Sequence, residues 1–447
     1  MAKSVIIIGL GPAGLFASKE LLNAGFKVIA IEKGKSPKER TKKDLLFGVG
    51  GAGLYSDGKL NFNPFIGGDL TEFVNFEEAN KIIAEVHNSF KRMGMNNGYI
   101  NQTEKMQELK ERALRNGIKF VEIKQKHIGS DYLPGIIENM YHTLIKNGLE
   151  LHLETDAQDV IIKNKKIVGI KTDKGDFFAD YILFCVGRHG SIWLNKIVKS
   201  INLETNYLPV DIGVRVETNQ YITKNTTDIE YDPKFHIYTK TYDDFVRTFC
   251  TNPRGFVVSE SYNKFINVNG HSLRDIKSEN TNFAFLVKIK LTEPAENSNS
   301  YAQQIGKLAN FLGSGKPILQ RLGDLKSGRK TTWSKLKKNI VQPTLKEVTP
   351  GDISLLLPHR IVTDLLEGLQ DLNKIMPGID SNYTLLYAPE IKLSAMRVKC
   401  NKNLQSTKYN NLFFAGDGAG LSGDIVNAAS TGLIAARSII SYENTKN

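Results

Sequence analysis

The chain has 447 residues and a formal net charge of +12, long enough for two domains or one large composite domain. Its three cysteines, Cys185, Cys250 and Cys400, stand far apart without a C-x-x-C. This argues against a disulfide framework or a zinc site and for a reducing compartment, taken here as the cytoplasm. No apolar run is long enough to span a membrane, so no membrane span is expected.

The opening, "SVIIIGLGPAGLFASKELLNAGFKVIAIEK", predicts a strand, a glycine turn, a helix and a second strand. Val5 to Ile8 is a short β-branched run, as in a buried parallel strand. Gly9, Gly11 and Gly14 fall on G-x-G-x-x-G: the first permits the tight turn, the second lets a pyrophosphate approach the backbone, and the third lets helix and strand lie close. Pro12 suits the first helical turn, and Gly25 ends a helix running to about Ala24. Glu32 closes the second strand, about 20 residues beyond Gly11, where an acid can hydrogen-bond a ribose hydroxyl. These features make the start a βαβ unit for a dinucleotide rather than a signal peptide. They leave NAD and FAD open.

The next stretch, "KGKSPKERTKKDLLFGVGGAGLYSDGKLNFNP", carries Gly48, Gly50, Gly51, Gly53 and Gly58, followed by Gly67. Such a loop offers free N–H groups and close backbone approach. Two amphipathic helices follow within about Thr71 to Asn116, then a strand in "IKFVEIKQKHIG" and a helix capped by Ser130 or Asp131. Residues 149–185 read as strands with turns at Asn164–Lys166 and Lys174–Gly175, the last run ending at Gly187 beside a ligand crevice. From 205 to about 345 short alternating strands dominate: "VDIGVRVE", "KFHIYTKTY", "FVRTFCTN", "GFVVSESY" and "NFAFLVKIKL". They predict a largely antiparallel sheet inserted into the α/β frame. A helix at Tyr301–Leu312 and a helical connector over 350–378 follow.

Basic residues gather between Lys316 and Lys346. They would suit nucleic acid, anionic lipid or an acidic partner. Without an RNA-binding signature or an aromatic platform, the reading adopted is a solvated lysine-rich face with no nucleic-acid partner. "GSGK" at 313–316 lacks a flanking strand and the Walker spacing, and is discounted.

The end of the chain, "NNLFFAGDGAGLSGDIVNAASTGLIAARSII", predicts a strand over Leu412–Ala415, a glycine turn at Gly416–Gly420 and a helix from about Asp424 to Ile440. A return strand ending in Gly-Asp before a glycine turn and helix is the pattern of FAD proteins of the glutathione-reductase type. It places Asp417 toward the ribitol or pyrophosphate and a helix N-terminus toward the pyrimidine edge of the flavin.

These motifs, together with "GVGGAGLYSDGKL" (48–60), "HIGSDYL" (127–133), "IGVRVE" (212–217), "RTFCTNPRGFVV" (247–258), "LLLPHRI" (355–361) and "APEIKLSAMRV" (388–398), resemble a family of bacterial and archaeal FAD-dependent dehydrogenases, the NAD(P)/FAD-dependent oxidoreductases. The resemblance covers nearly the whole chain. It implies a Rossmann-like FAD-binding domain with a central parallel sheet, split into 1–204 and 388–447, around an inserted, mostly antiparallel α+β substrate domain at 205–387. This sequence departs from the family at Val49, where an acid is more frequent, and at Leu393, often neighboured by Thr and Ser. Asn252-Pro253-Arg254-Gly255 stands where the family has Cys-Pro-Gly-Gly, and Asp417 where it has Glu.

The expected cofactor shell is Gly9, Gly11, Pro12, Ala13, Gly14 and Glu32 for the ADP half. Gly50, Gly51, Ala52 and Gly53 are expected near the flavin ring or phosphate, and Gly187 near adenosine or pyrophosphate. Asp417, Gly418, Ser422, Gly423, Asp424 and Ile425 are expected along the ribitol and isoalloxazine. Flavin carries the electron chemistry and the protein tunes it. Lys59 and Ser56 follow the glycine loop, and Arg397 precedes the return strand, placed to take a substrate carboxylate. Arg215, Cys250 and Arg254 lie on the inserted sheet; His127 and His189 are candidate proton donors. Lys59, Arg397 and Arg254 are taken as the catalytic candidates. No second G-x-G-x-x-G serves NADPH, so NAD(P)H docks transiently, the substrate itself gives the hydride, or a small electron-carrier partner supplies electrons. A flavin-dependent RNA-modifying enzyme and a flavin-binding protein without turnover are the alternative functions.

Overall fold

The computed structural model describes the chain apart from residues 1, 42–43, 45–46, 56–57, 96–102, 124, 129–131, 263–264, 274–275 and 447. The chain forms two compact units: Met1–Tyr99, Ile123–Leu208 and Ala395–Asn447 make the first, and Ile100–Glu122 with Pro209–Ser394 the second.

The first unit is built on the opening strand, Ser4–Ile8, whose Val5, Ile6 and Ile7 are fully buried. It lies in the middle of a five-stranded sheet ordered Leu412–Phe414, Tyr181–Phe184, Ser4–Ile8, Lys27–Ile31, Glu150–His152. Every pairing is parallel, as expected of β-branched strands buried on both faces. The opening helix is Pro12–Asn23 and the closing helix Ile425–Asn444. They pack so closely that a Cβ at Gly432 would lie 2.2 Å from the Ala13 carbonyl oxygen. Ala157–Lys163, Lys166–Thr172 and Gly175–Phe178 form a separate antiparallel meander. Its first turn holds Asn164 and Lys165 at φ 48° and 60°, the pair of positive values that a tight hairpin demands.

The second unit is an eight-stranded mixed sheet ordered Thr349–Pro350, Ile318–Arg321, Leu385–Lys392, Val210–Asn219, Asn280–Ile289, Phe245–Asn252, Lys234–Tyr238, Lys119–Val121. Only the first pair is parallel. Along Val210–Asn219 the alternation is strict: Val210, Ile212, Val214 and Val216 join a core with helices Ser298–Leu312 and His359–Leu372, while Asp211, Arg215 and Glu217 take the other face. A hairpin, Phe256–Tyr262 with Phe265–His271, covers part of that other face, where Val257 and Val268 meet Leu319, Leu385 and Tyr387.

The units divide at 208/209 and 394/395, whereas the sequence reading divided the chain at 204/205 and 387/388. Residues 388–392, read as opening the return segment, belong to Leu385–Lys392, a central strand of the second sheet that is buried through Ile391. Helix Thr103–Arg115 and strand Lys119–Val121, read with the first domain, belong to the second unit. There Phe120 pairs with Phe235 and their rings meet at 5.4 Å, so an edge pairing distant in sequence decides the assignment. The helix cap expected at Ser130 or Asp131 lies outside the described residues; the helix there runs Leu133–Lys146.

Candidate functional site: a glycine cradle at the parallel sheet

The cradle lies at the C-terminal ends of the parallel strands, where ligands of open α/β sheets bind. Three glycine-rich segments meet there. At Gly14 a Cβ would stand 2.1 Å from the Gly9 carbonyl oxygen, so only glycine lets helix and turn approach this closely. The loop of 48–53 folds onto this turn: the Gly50 N–H donates to the Leu10 carbonyl at 2.8 Å, and a Cβ on Gly51 would come within 3.2 Å of the Gly11 Cα. The return turn closes the third side. The Gly418 N–H donates to the Val186 carbonyl at 2.9 Å, and a Cβ at Gly416 would meet the Ala13 side chain at 3.3 Å.

Side chains lock this arrangement. Glu32 is buried, 5% exposed. Its Oε2 accepts from the Leu10 N–H at 2.8 Å and its Oε1 from the Gly34 and Gly48 N–H groups at 2.9 Å each. A carboxylate has roughly four lone-pair positions, so one remains for a ribose hydroxyl. Glu32 therefore ties the glycine loop to the dinucleotide turn, a role that its spacing from Gly11 did not disclose. Buried Arg40 does the same from the loop side, donating to the Asp44, Val49 and Gly51 carbonyls at 2.7, 2.7 and 2.8 Å. It stands in a run of lysines and carries no pattern signal.

The opening helix has no side-chain cap at Gly11, which precedes Pro12, and no acid in its first turn. Its first N–H groups and positive dipole end are left for an anion. A Cβ on Gly11 would meet only the Gly51 Cα, at 3.8 Å, and one on Gly187 nothing within 4 Å. The backbone is thus open at both places, and these residues fit a pyrophosphate-bearing dinucleotide.

Asp417 does not cap the closing helix; Asp424 does, accepting from the Asn427 N–H at 2.7 Å. Asp417 instead accepts from Arg188 Nε at 3.2 Å and Ser422 Oγ at 2.5 Å, and Arg188 also reaches the Gly423 carbonyl at 3.0 Å. The return turn is held by this Arg188 bridge, which sequence reasoning missed. A Cβ on Gly53 would meet the Pro12 and Ile425 side chains, and Ala52 is exposed on the short 3-10 turn Gly51–Tyr55.

The catalytic candidates divide between the two units, Lys59 and Arg397 in the first and Arg254 in the second. Arg397 forms a two-pronged ion pair with Glu72 at 2.6 and 3.3 Å over the Phe73 ring, so its guanidinium is committed within the first unit. Arg254 belongs to the second unit and is exposed on a turn in which the Gly255 N–H donates to the Asn252 carbonyl. Its φ is +52°, in the position of a type II turn that favours glycine. Arg215 is fully buried and bonds Glu390 twice, Asn269, Asn282 and the Cys250 carbonyl. All five guanidinium N–H groups are used, which makes it a structural strut instead of a substrate ligand. Lys59 lies in strand Lys59–Asn61, paired with His127; the side chains of both, and all of Ser56, lie outside the described residues. His189 stacks near Phe47 at 5.4 Å.

Part of the basic run converges on one acid, and Lys326 pairs with another, Asp380, at 2.6 Å. Asp324, fully buried, meets Arg321 at 2.9 Å and Lys335 at 2.8 Å. Burial opposes its ionisation, yet the bonds from Arg321, Lys335 and Thr331 outweigh it and hold the carboxyl well below the carboxylate range. Among the described residues no helix is long and apolar enough to cross a membrane.

Comparison with known proteins gives two family matches: residues 209–393 match the "FAD-dependent protein, C-terminal domain-like" model and residues 342–447 the "Glucose inhibited division protein A" model. The first spans the sheet-forming segment of the second unit. An uncharacterised protein of Clostridium beijerinckii is 26% identical, covering 97% of this chain and 80% of its own. A glycine oxidase of Pseudomonas aeruginosa is 22% identical over 47% of this chain and 61% of its own length. Among solved structures, glycine oxidase from Bacillus cereus is 12% identical with a TM-score of 0.41, covering 100% of this chain and 96% of that one.

Proposed function

Taking the chain as a member of the FAD-dependent oxidoreductases, we propose that the glycine cradle holds FAD by its ADP half and that the enzyme passes a hydride or electrons between a small organic substrate and the flavin. The observation that carries this is the uncapped, acid-free start of the opening helix with the backbone open at Gly11 and Gly187. A pyrophosphate would satisfy the N–H groups of Ala13 and Gly14, and a ribose hydroxyl the remaining lone pair of Glu32. FAD supplies the two-electron chemistry when bound. The chain's own contribution is to anchor it, with Glu32 and Arg40 fixing the glycine loop and Arg188 and Ser422 fixing Asp417. NAD(P)H docking transiently, or a small electron carrier, completes the cycle. The cysteines are all thiols, in keeping with a cytoplasmic location.

The test is purification of the recombinant protein, with identification of the released cofactor by mass spectrometry. Anaerobic reduction by NADH or NADPH and reoxidation by quinone or O₂ follow. A yellow protein that turns over supports the reading. Protein that stays colourless and takes up no FAD refutes it, and yellow protein that cannot be reduced points to binding without turnover. Gly11→Val is expected to abolish FAD retention, because the side chain occupies the space that the pyrophosphate needs.

A further inference from the structure

The face of the second unit's sheet that turns away from the helices is only partly covered by the hairpin of 256–271. At its other end, His236, Phe245, Arg247 and Phe249 are half-buried, and Tyr238, Lys119 and Lys288 are exposed. The rings form a continuous patch: His236 meets Phe245 edge-on at 4.8 Å and Tyr238 meets Phe245 at 5.6 Å. Tyr238 is 63% exposed, an aromatic side chain left in water beside two others.

Cations surround the patch. Lys288 Nζ lies over the Phe245 ring at 4.6 Å, while Lys234 and the Arg247 guanidinium share the Phe249 ring at 4.7 and 4.9 Å. Two acids answer them. Asp211 pairs with Arg247 at 2.5 Å and Asp232 with Lys234 at 2.6 Å. Lys288 and Lys119 have no carboxylate within ion-pairing distance among the described residues, so positive charge is in excess. The Arg247 Nε is also buried without a hydrogen-bond partner, a donor left unmet at a half-buried site. The local field acts on His236: burial first, then Arg247, Lys119, Lys288 and Lys234, push its pKa down to about 4. The ring is therefore neutral near pH 7 and adds no repulsion of its own.

A solvated charge run would not leave a buried guanidinium donor unmet beside a floor of aromatic rings. We propose that this end of the sheet face binds a small planar organic carboxylate, with Arg247 and Lys288 taking the carboxylate and Phe245 and Tyr238 receiving its apolar body. Arg is suited to the carboxylate by its planar fork, and the rings bury the flat body that a phosphate ion lacks. The proposal names the class of small molecule in the oxidoreductase reading. Its catalytic meaning rests on that reading, and its binding does not.

Benzoate is the probe, titrated by calorimetry into the purified full chain at fixed ionic strength, with benzyl alcohol as the uncharged comparison. Saturable one-to-one binding is expected, weakened roughly tenfold or more by Lys288→Met and by Arg247→Met, as for loss of a charged hydrogen bond. Lys163→Met removes a lysine that sits over a single ring outside the patch, Phe178 at 5.6 Å, and should leave affinity within about twofold. Lys288 is exposed, so its variant is expected to fold even if that of Arg247 does not. The proposal is overturned if benzoate shows no saturable binding, if benzyl alcohol binds equally well, or if Lys288→Met leaves affinity unchanged. It is overturned equally if single-stranded RNA displaces benzoate, which would make the patch a nucleic-acid surface. Flavin absorbance is recorded on the same samples. Colourless protein that binds benzoate refutes the flavin reading alone, and yellow protein that fails to bind refutes this one alone.

Discussion

Replacing Glu32 with Gln separates two roles for this residue: ligand of a ribose, or strut of the cradle itself. Its carboxylate accepts three backbone N–H bonds, two at Oε1 and one at Oε2. The best-placed glutamine keeps its oxygen toward Gly34 and Gly48, and its NH₂ then faces the Leu10 N–H. One bond to a charged acceptor is lost, worth about 1.5–3 kcal/mol, and a buried donor is left unmet. The other two fall to neutral strength, at about 0.5–1 kcal/mol each. The sum is about 4 kcal/mol, a large share of the roughly 5–15 kcal/mol that holds a domain folded. Because the chain has two units, a single unfolding midpoint is not well defined, so the assay is hydrogen–deuterium exchange of FAD-free protein. Peptides containing Leu10, Gly34 and Gly48 should exchange much faster in Glu32→Gln, with the second unit unchanged. If apo exchange is unaltered and only FAD affinity falls, Glu32 acts through the ribose alone and the strut argument is wrong.

Gly432→Ala should cost the first unit about 3 kcal/mol, read as faster hydrogen–deuterium exchange of the opening and closing helices, because the new Cβ would lie 2.2 Å from the Ala13 oxygen and the helices must separate. Gly135→Ala, in helix Leu133–Lys146 with nothing within 4 Å of the new Cβ, should instead stabilise by about 0.5–1 kcal/mol. Arg254→Gly should raise stability by up to about 1 kcal/mol in denaturant titrations, since a left-handed φ costs a side-chain-bearing residue about 1–2 kcal/mol and glycine returns part of that as unfolded-state entropy. His236 titrates near pH 4 when folded against about 6.5 unfolded. The unfolded chain thus binds more protons between these values, and stability falls as pH drops from about 6.5 to 4. His236→Gln should flatten that part of the stability–pH curve, and an unchanged slope would contradict the assigned burial and field.

The βαβ start was legible because its cues are local. A buried strand, three spaced glycines, Pro12 at the first helical turn and Gly25 after the last each follow from backbone geometry within a few residues. The return strand and its glycine turn were legible for the same reason. The inserted strands showed themselves by alternation, as in Val210–Asn219, but not their order, since pairing Leu385–Lys392 with Val210–Asn219 closes a loop of more than 150 residues that no local pattern encodes. What only the tertiary structure decided are the partners of charged side chains. Arg215, Arg397 and Asp417 are alike in sequence as candidate ligands, yet the fold sets Glu390, Glu72 and Arg188 beside them, and at fully buried Arg215 an unpaired charge would be costly. The same holds for Glu32 and for the cations around Phe245 and Phe249. Their chemistry is written in the sequence, but which groups face one another is set by the register of strands far apart along the chain.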